Sequence, residues 1–263
     1  MNNVQKIGIA LEGGGAKGAY QIGVLKALLD TGISFDCVTG TSIGALNATA
    51  YVLKDYDKYA KHWENTNFSF NSTSTRPKKM KVFKLNEILN NVEEFEREYL
   101  NFEGINPDNI IKMFKDSIDE GSVRKSKIKL GISTYCLTDK KPLEIFIDDI
   151  QEGMLHEYIF ASCNLPVFTP HAINGKHYLD GGIYNRLPIN MLVDKGYKTI
   201  IAVRLRKDSY DFGEYKDINF IDIRPDEFLC DTLEASQERI KWMIDKGYED
   251  GCKILNDNLN LLK

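Results

Sequence analysis

Over the first 65 residues, short apolar runs alternate with segments in which apolar residues recur at helical spacing. Ile7–Leu11 and residues 35–38 have the length and composition of buried strands, and helical patterns follow them over about 17–30 and 45–63. Strand, helix, strand and helix with short connections are typical of parallel strands joined by right-handed crossovers. The pattern therefore predicts that these residues form an α/β sandwich core.

Beyond residue 65 the pattern is less regular but still mixes strands with helices. Residues 66–84 are polar and then basic, which indicates a loop. The other predicted elements are a helix beginning at Asn106 and Pro107, a hairpin of 128–137 and 143–147, a helix near 154–161, a turn at Asn174 and Gly175, a helix over 188–195, strands over 199–205 and 220–223, and an amphipathic helix over 231–262 interrupted at Gly247. Without a repeat or a linker, we expect one domain over 1–263. Residues 66–125 would be a variable loop and helical insertion, and 226–263 a C-terminal helix packing on it.

The composition restricts the function classes more than it identifies one. A formal charge of −4 gives no global positive field, which argues against a dedicated nucleic-acid binder. The five cysteines are odd in number and scattered without a Cys-x-x-Cys pair, so they indicate neither a disulfide framework nor a thiolate metal site. No apolar run approaches the roughly 20 residues that span a bilayer, and the N-terminus has no signal-peptide pattern. We therefore expect a cytoplasmic protein whose membrane contact, if any, is peripheral.

Ser42 stands at the apex of a glycine-flanked turn between the second predicted strand and the helix that follows it. Gly40 and Gly44 allow the chain to turn sharply enough to expose the hydroxyl, close to the unpaired amides at the start of a helix. An ordinary helix N-cap also places a serine at this point. The turn therefore makes Ser42 a candidate nucleophile that needs support from elsewhere in the chain.

A second glycine-rich turn, Gly13–Gly18, lies between the first strand and its helix. Its free amides and the helix N-terminus could hold a phosphate or an oxyanion. The spacing fits a dinucleotide fingerprint, but Asp36 begins the second strand, whereas the fingerprint needs an acidic residue at that strand's end. A P-loop is excluded because Lys17 precedes the last glycine and no Ser or Thr follows it. The oxyanion interpretation fits best beside a candidate serine on the neighbouring turn.

These two turns, followed by a third at Asp180, occur in the order found in the patatin-like phospholipase family, which this chain resembles. Looser similarity covers residues 161–170 and 223–225, so the resemblance spans roughly residues 7–225. The matched positions are Gly13, Gly14, Gly15, Ala16, Lys17 and Gly18 in the oxyanion loop, Gly40, Thr41, Ser42, Ile43 and Gly44 in the nucleophile turn, and Asp180, Gly181 and Gly182 in the third motif. The resemblance implies a three-layer α/β/α sandwich with a mainly parallel central sheet.

The resemblance also implies a lipid acyl hydrolase that acts on phospholipids or lysophospholipids through a Ser42–Asp180 dyad. An ordinary carboxyl, with a pKa of about 3.9, is a poor base for a hydroxyl. Burial beside Tyr178 and Leu179 is expected to raise the pKa of Asp180, and the amides of residues 13–15 would hold the oxyanion. The chemistry needs no metal and no cofactor, and its partner is a lipid or acyl-ester substrate.

Several other interpretations stay open at this stage. A Ser-His-Asp esterase would use a histidine as its base, and His177 lies nearest to Asp180 in sequence. A non-catalytic lipid-binding or regulatory module could keep the same pocket. Lys17 is expected to be a solvated lysine. Asp148 and Asp149, which are consecutive in the sequence, are expected to be an exposed pair and not a calcium site. The sequence does not determine the lipid head group, the chain length or the oligomeric state.

The basic residues 76–84, with aromatic residues nearby, could either contact an anionic membrane or form a solvated loop. The aromatic residues are Phe68, Phe70 and Phe83.

Overall fold

The computed structural model describes residues 6–66, 68–69 and 88–262, and of 68–69 only the backbone. Within these residues the strands are β1 (Ile7–Leu11), β2 (Cys37–Thr41), β3 (Phe68–Ser69), β4 (Lys129–Cys136), β5 (Lys141–Phe146), β6 (Ala172–Ile173), β7 (Lys176–Asp180), β8 (Thr199–Val203), β9 (Asn219–Ile223) and β10 (Glu234–Ala235). The α-helices are α1 (Gly18–Asp30), α2 (Ile43–Leu53), α3 (Tyr56–Asn65), α4 (Val92–Tyr99), α5 (Asp108–Ser117), α6 (Glu120–Lys125), α7 (Leu155–Cys163), α8 (Ile189–Asp194) and α9 (Gln237–Asp257).

The central sheet contains eight strands and is mainly parallel. Its order is β6-β7-β4-β2-β1-β8-β9, with β5 on the other edge of β4. The pairs β1–β2, β1–β8, β2–β4 and β8–β9 are parallel, while β5 and β7 pair antiparallel with β4. This confirms the predicted fold class and the hairpin formed by β4 and β5.

Strands β2 and β7 lie end to end along one edge of β4. Residues 129–133 of β4 pair with β2, and residues 134–136 pair with β7. Thr41 lies opposite Ser133, and Asp180 lies opposite the next residue, Thr134. Because β2 is parallel and β7 antiparallel to β4, the carboxyl ends of both strands meet at this junction.

Two of the four apolar clusters among the described residues lie on opposite faces of the sheet. Ile9 and Leu11 belong to the larger core, together with side chains of α1, α2 and α9. Ala10 belongs to the smaller core on the opposite face, where Ile189 and Leu192 of α8 pack. The alternation along β1 places one helical layer on each face of the sheet, which is the predicted three-layer arrangement.

Helices α1 and α9 pack with their backbones in close approach. A Cβ on Gly23 would lie 1.9 Å from the carbonyl oxygen of Ile244, and a Cβ on Gly247 would lie 2.0 Å from that of Tyr20. Gly247 is therefore a packing residue, and the predicted interruption at this position is wrong. The helix begins at Gln237, later than predicted, because the Ser236 hydroxyl caps it by accepting from the Arg239 amide.

Two predicted boundaries near Ser42 are also wrong. Strand β2 continues to Thr41 and does not end at Val38, because its pairing with β1 and β4 extends over Gly40 and Thr41. The helix predicted over 45–63 is two helices. Lys54 adopts a left-handed conformation (φ 54°) that ends α2 and redirects the chain into α3.

Most of the predicted basic loop is not part of the structural description. Residues 76–84, Phe70 and Phe83 lie outside the described residues, and for Phe68 only the backbone is described. Both alternatives for this segment, membrane contact and a solvated loop, therefore stay predictions. In the portion of the chain that the structure describes, none of the helices combines the length and apolar character that crossing a membrane requires.

Candidate active site

Ser42 connects β2 to α2 in a strained backbone conformation. Its φ is 56° and its ψ is −128°, which costs a non-glycine residue of order 1–3 kcal/mol. The flanking glycines make this turn possible, because a Cβ on Gly40 would lie 2.4 Å from the Gly44 carbonyl, and one on Gly44 would lie 2.4 Å from the Leu11 oxygen. The Ser42 hydroxyl makes no cap hydrogen bond to α2. The geometry therefore does not support the N-cap interpretation.

The Ser42 hydroxyl instead donates to Asp180. The distance from Ser42 Oγ to Asp180 Oδ2 is 2.5 Å, and both residues are buried, with exposed fractions of 9% and 3%. The other carboxylate oxygen of Asp180 accepts from the Gly182 amide at 2.7 Å. The register of β2 and β7 along β4 thus brings the two predicted residues into direct contact.

Burial changes the acidity of Asp180. Desolvation raises the pKa of its carboxyl to about 6, against the opposing effect of the hydrogen bonds from Ser42 and Gly182. At neutral pH the carboxyl is therefore ionised, yet it accepts a proton more readily than an ordinary aspartate does. Both properties suit a general base.

The glycine-rich loop after β1 lies against Ser42 and offers two free amides. A Cβ on Gly13 would lie 3.2 Å from the Cβ of Ser42. Gly14 and Gly15 have no hydrogen-bond partner for their amides among the described residues, and Gly15, with φ 58°, shares a cavity wall with Ser42. The expectation that the Gly13 amide is also free is wrong, because it donates to the Arg186 carbonyl at 2.8 Å.

Lys17 anchors this loop from within and is not a solvated lysine. Its side chain is 8% exposed, and its Nζ donates to Thr232 Oγ1 at 2.9 Å. The Thr232 carbonyl accepts from the Ala16 amide at 2.9 Å, so one residue holds the loop at two points. Burial lowers the pKa of Lys17. The prediction of a solvated side chain was wrong because sequence alone did not reveal the segment that covers it.

A buried carboxylate fixes the start of the same loop. Glu12 is 2% exposed and accepts from the Leu205 amide at 2.6 Å and from the side chain of Arg206. Its own carbonyl accepts from Gln21 Nε2 at 2.7 Å. These contacts join the loop to the chain after β8 and to α1, so the free amides have a rigid support.

Three consecutive residues at the end of α7 contact the Ser42–Asp180 pair. Ser162 Oγ accepts from the Ser42 amide at 2.7 Å, and the Asn164 carbonyl accepts from the Asp180 amide at 2.8 Å. The Cys163 thiol lies beside both residues, and burial together with the Asp180 charge raises its pKa. Sequence reasoning gave these residues no role. The available signal was the looser family similarity over 161–170.

A cavity of about 540 Å³ opens beside Ser42 and Gly15. Its wall is mostly apolar and comes from α2, α3, α5, α7 and the segments after α7 and before β10. Representative lining residues are Leu46, Trp63, Met113, Phe114, Phe160 and Phe168. The exposed basic side chains of Lys58, Lys61 and His62 also border it. Its size is in the range of small-molecule sites, and its lining suits an aliphatic chain.

The histidines lie away from the Ser42–Asp180 hydrogen bond. His177 is on β7 three positions before Asp180, which places the two side chains on opposite faces of the strand. His156 and His171 both lie against Glu157, and His62 borders the cavity. None of these four described residues hydrogen-bonds to Ser42 or Asp180, so the geometry favours a two-residue site over a triad.

The described residues include no group of three or more His, Cys, Asp or Glu side chains that could hold a metal ion. Asp148 and Asp149 are both exposed, as predicted, and Asp148 pairs with Lys129 at 2.6 Å.

The fold and the site define a class: a mainly parallel α/β protein with a serine on a strand-to-helix turn, hydrogen-bonded directly to a buried carboxyl group. The chain belongs to the patatin-like phospholipase family, whose model matches residues 9–193. The match covers most of β1, the glycine-rich loop, the serine turn and the strand that carries Asp180.

Two curated relatives agree with this assignment. Lysophospholipase NTE1 of Kluyveromyces lactis is 29% identical over 204 residues, covering 76% of this chain and 12% of the relative. A patatin-like phospholipase domain-containing protein of Caenorhabditis elegans is 30% identical over 220 residues, covering 79% of this chain and 14% of the relative. This chain thus matches only about an eighth of each relative's length.

The crystal structure of VipD from Legionella pneumophila superimposes with a TM-score of 0.57 over 96% of this chain and 67% of VipD. Their sequence identity is 14%, so this similarity demonstrates a shared fold.

Proposed function

We propose that the chain is a lipid acyl hydrolase that cleaves carboxylic ester bonds of phospholipids or lysophospholipids, with Ser42 as nucleophile and Asp180 as general base. The single observation that carries the proposal is the 2.5 Å hydrogen bond from Ser42 Oγ to Asp180 Oδ2 at the edge of an apolar cavity. A hydroxyl that donates to a buried carboxylate is arranged to lose its proton as it attacks.

In the proposed reaction, Asp180 accepts the Ser42 proton while Oγ attacks the ester carbonyl. The oxyanion that forms is held by the amides of Gly14 and Gly15, each donor of this kind being worth about 3 kcal/mol. The N-terminus of α2 adds partial positive charge at the same place. The protonated Asp180 then gives its proton to the leaving alcohol, and a water activated by the same carboxylate releases the fatty acid.

The cavity supports a lipid as the substrate. Each CH₂ group moved from water into such an apolar wall contributes about 0.8 kcal/mol, so a long acyl chain would gain substantial binding energy. Lys58, Lys61 and His62 border the cavity and could lie near a phosphate-bearing head group. The name of the yeast relative, a lysophospholipase, agrees with this substrate class.

We also propose that the elements around the site fold as one domain, with α4, α5 and α6 of the 66–125 insertion as part of it. Helix α5 lines the cavity together with α2 and α7, and α9 packs on α1. The insertion therefore contributes to the same site as the sheet.

A labelling and activity experiment tests the proposal. A fluorophosphonate probe should label the wild-type chain at Ser42, identified by peptide mass spectrometry, and Ser42→Ala should abolish labelling. Hydrolysis of a long-chain p-nitrophenyl ester and of lysophosphatidylcholine should fall at least a hundredfold in Asp180→Asn, in line with the usual contribution of a general base.

His177→Ala is the control and should keep wild-type activity. Loss of activity in His177→Ala with retention in Asp180→Asn would instead identify His177 as the base. Absence of labelling and hydrolysis in a folded wild-type chain would identify a binding module. A screen of lipid classes would then assign the head group and the cleaved position.

A further inference from the structure

The end of α7 holds the candidate nucleophile through a side chain that takes no part in the proposed chemistry. Ser162 Oγ accepts from the Ser42 amide at 2.7 Å and donates to the Ser133 carbonyl at 2.6 Å. The Ser162 side chain is fully buried. A single hydroxyl therefore links the turn after β2 to strand β4, at the point where β2 and β7 meet along that strand.

The backbone of Ser42 needs such a partner. With φ 56° and ψ −128°, its peptide is held in a conformation that a non-glycine residue adopts only when its surroundings impose it. A buried amide without a partner would favour rotation of the peptide toward another hydrogen bond. Because the side chain leaves the same Cα, a rotation here would redirect Oγ away from Asp180 and from the amides of Gly14 and Gly15.

We propose that Ser162 is a positioning residue that fixes the backbone of Ser42, and through it the direction of the attacking hydroxyl. The inference rests on the proposed function, because it concerns the same hydroxyl. The neighbouring carbonyl of Asn164 accepts from the Asp180 amide at 2.8 Å, so the end of α7 contacts both members of the pair. Asn164 acts through its backbone, whereas Ser162 acts through its side chain. Ser162 can therefore be substituted without changing Ser42 or Asp180.

The structure offers a matched control in Ser133. Its side chain is as buried as that of Ser162, but its hydroxyl has no hydrogen-bond partner among the described residues. Ser133→Ala removes a buried hydroxyl and leaves the Ser133 carbonyl, which accepts from Ser162, in place. A general effect of losing a buried hydroxyl would appear in both variants, whereas a positioning effect would appear only in Ser162→Ala.

The experiment measures kcat, KM and the fluorophosphonate labelling rate of the whole chain for both variants. Ser162→Ala should lower kcat and the labelling rate by about 10- to 100-fold, the cost of misplacing a reacting group by about 1 Å. Its KM should stay near the wild-type value because the cavity wall is unchanged, and its pH profile should keep the wild-type midpoint. Ser133→Ala should match the wild type, and Ser162→Thr, which keeps the hydroxyl, should recover most of kcat.

Thermal unfolding shows whether each variant is folded. If Ser162→Ala does not fold, Ser162→Cys, similar in size but a weak hydrogen-bonding group, should show the same loss of kcat. Equal labelling of Ser162→Ala and the wild type would overturn the inference, as would equal losses in Ser162→Ala and Ser133→Ala. Failure of the wild type to be labelled at Ser42 would reject the proposed function instead, so the two failures are distinguishable.

Discussion

At the scale of single residues, the site depends on a carboxyl group that is costly to ionise. Asp180 is 3% exposed, and desolvation raises its pKa to about 6 even though Ser42 and Gly182 both donate to it. An exposed aspartate would titrate near pH 4 and would be a weak base for a serine hydroxyl. Burial thus gives Asp180 greater proton affinity while leaving it ionised at neutral pH.

This acidity predicts how activity depends on pH. Because the proposed base, Asp180, must be ionised, kcat/KM should fall about tenfold for each pH unit below about 6 and level off above it. The measurement is the rate of ester hydrolysis between pH 4.5 and 8.5, with the folded state checked at each pH.

The control excludes titration of a histidine, since the ordinary pKa of histidine, about 6.5, falls in the same range. His177→Ala and His62→Ala should keep the wild-type midpoint. A midpoint near pH 4 would contradict the raised pKa of Asp180. A midpoint that disappears with either histidine would contradict the assignment of the base to Asp180.

At the scale of secondary structure elements, glycines determine how closely the helices approach. The α1–α9 contact brings Gly247 so close to Tyr20 that a Cβ would lie 2.0 Å from its carbonyl oxygen. Gly251 has a similar role, because a Cβ there would lie 2.8 Å from the Cβ of Ala27. These glycines lower the helix propensity of α9, but they allow its backbone to pack closely against α1.

Gly247→Ala should therefore destabilise the fold despite the better helix propensity of alanine. The new methyl group meets backbone and cannot be accommodated by a side-chain rotation, so we expect a loss of about 2 kcal/mol in the free energy of unfolding, within the usual range for overpacking. Urea-induced unfolding measures this quantity directly.

Gly121→Ala in helix α6 is the matched control. Apart from the chain neighbours and the backbone of the helix itself, the nearest atom to a Cβ there would be Asp119 Oδ1 at 3.4 Å, an ordinary van der Waals distance, so alanine should be neutral or stabilising by up to about 1 kcal/mol. Similar unfolding free energies for the two variants would show that the α1–α9 contact can relax.

At the scale of the whole molecule, the cavity is assembled from segments far apart in sequence. Leu46 comes from α2, Met113 from α5 and Phe160 from α7, and Ser42 also lines the cavity. The break between α2 and α3 at Lys54 contributes to this assembly, because it turns α3 so that Trp63 lines the same space. Under the proposed function, the length of acyl chain that the cavity accepts therefore depends on several elements together.

Met113→Trp should shorten the acyl chain that the cavity accepts. The larger side chain would occupy space between α5 and α7, so kcat/KM should fall at least tenfold for a 16-carbon ester, the size of effect expected when binding of a few methylenes is lost. Hydrolysis of a four-carbon ester should change little. A series of p-nitrophenyl esters of increasing length measures the shift.

Met113→Leu conserves volume and should keep the wild-type profile. If Met113→Trp lowers the rates for short and long esters equally, the cavity does not hold the acyl chain and this part of the proposal fails.

The sequence by itself determined the features that depend on neighbouring residues. Hydrophobic periodicity placed β1, and the dipeptide of Asn174 and Gly175 marked a turn between β6 and β7, where both residues have positive φ. The glycines around Ser42 indicated a sharp turn because only a residue without Cβ fits so close to Leu11 and Gly44. These features can be predicted from the sequence because they depend on local backbone geometry and on the periodicity of buried positions along the chain.

Only the tertiary structure decided what meets at the site. The meeting of Ser42 and Asp180 depends on the register of β2 and β7 along β4, and a shift of one residue would turn the side chains to the opposite face. The burial of Lys17 and the contact of Ser162 with the Ser42 amide depend on segments more than 100 residues away. Long-range register and burial are set by the packing of the whole core, which no local pattern encodes.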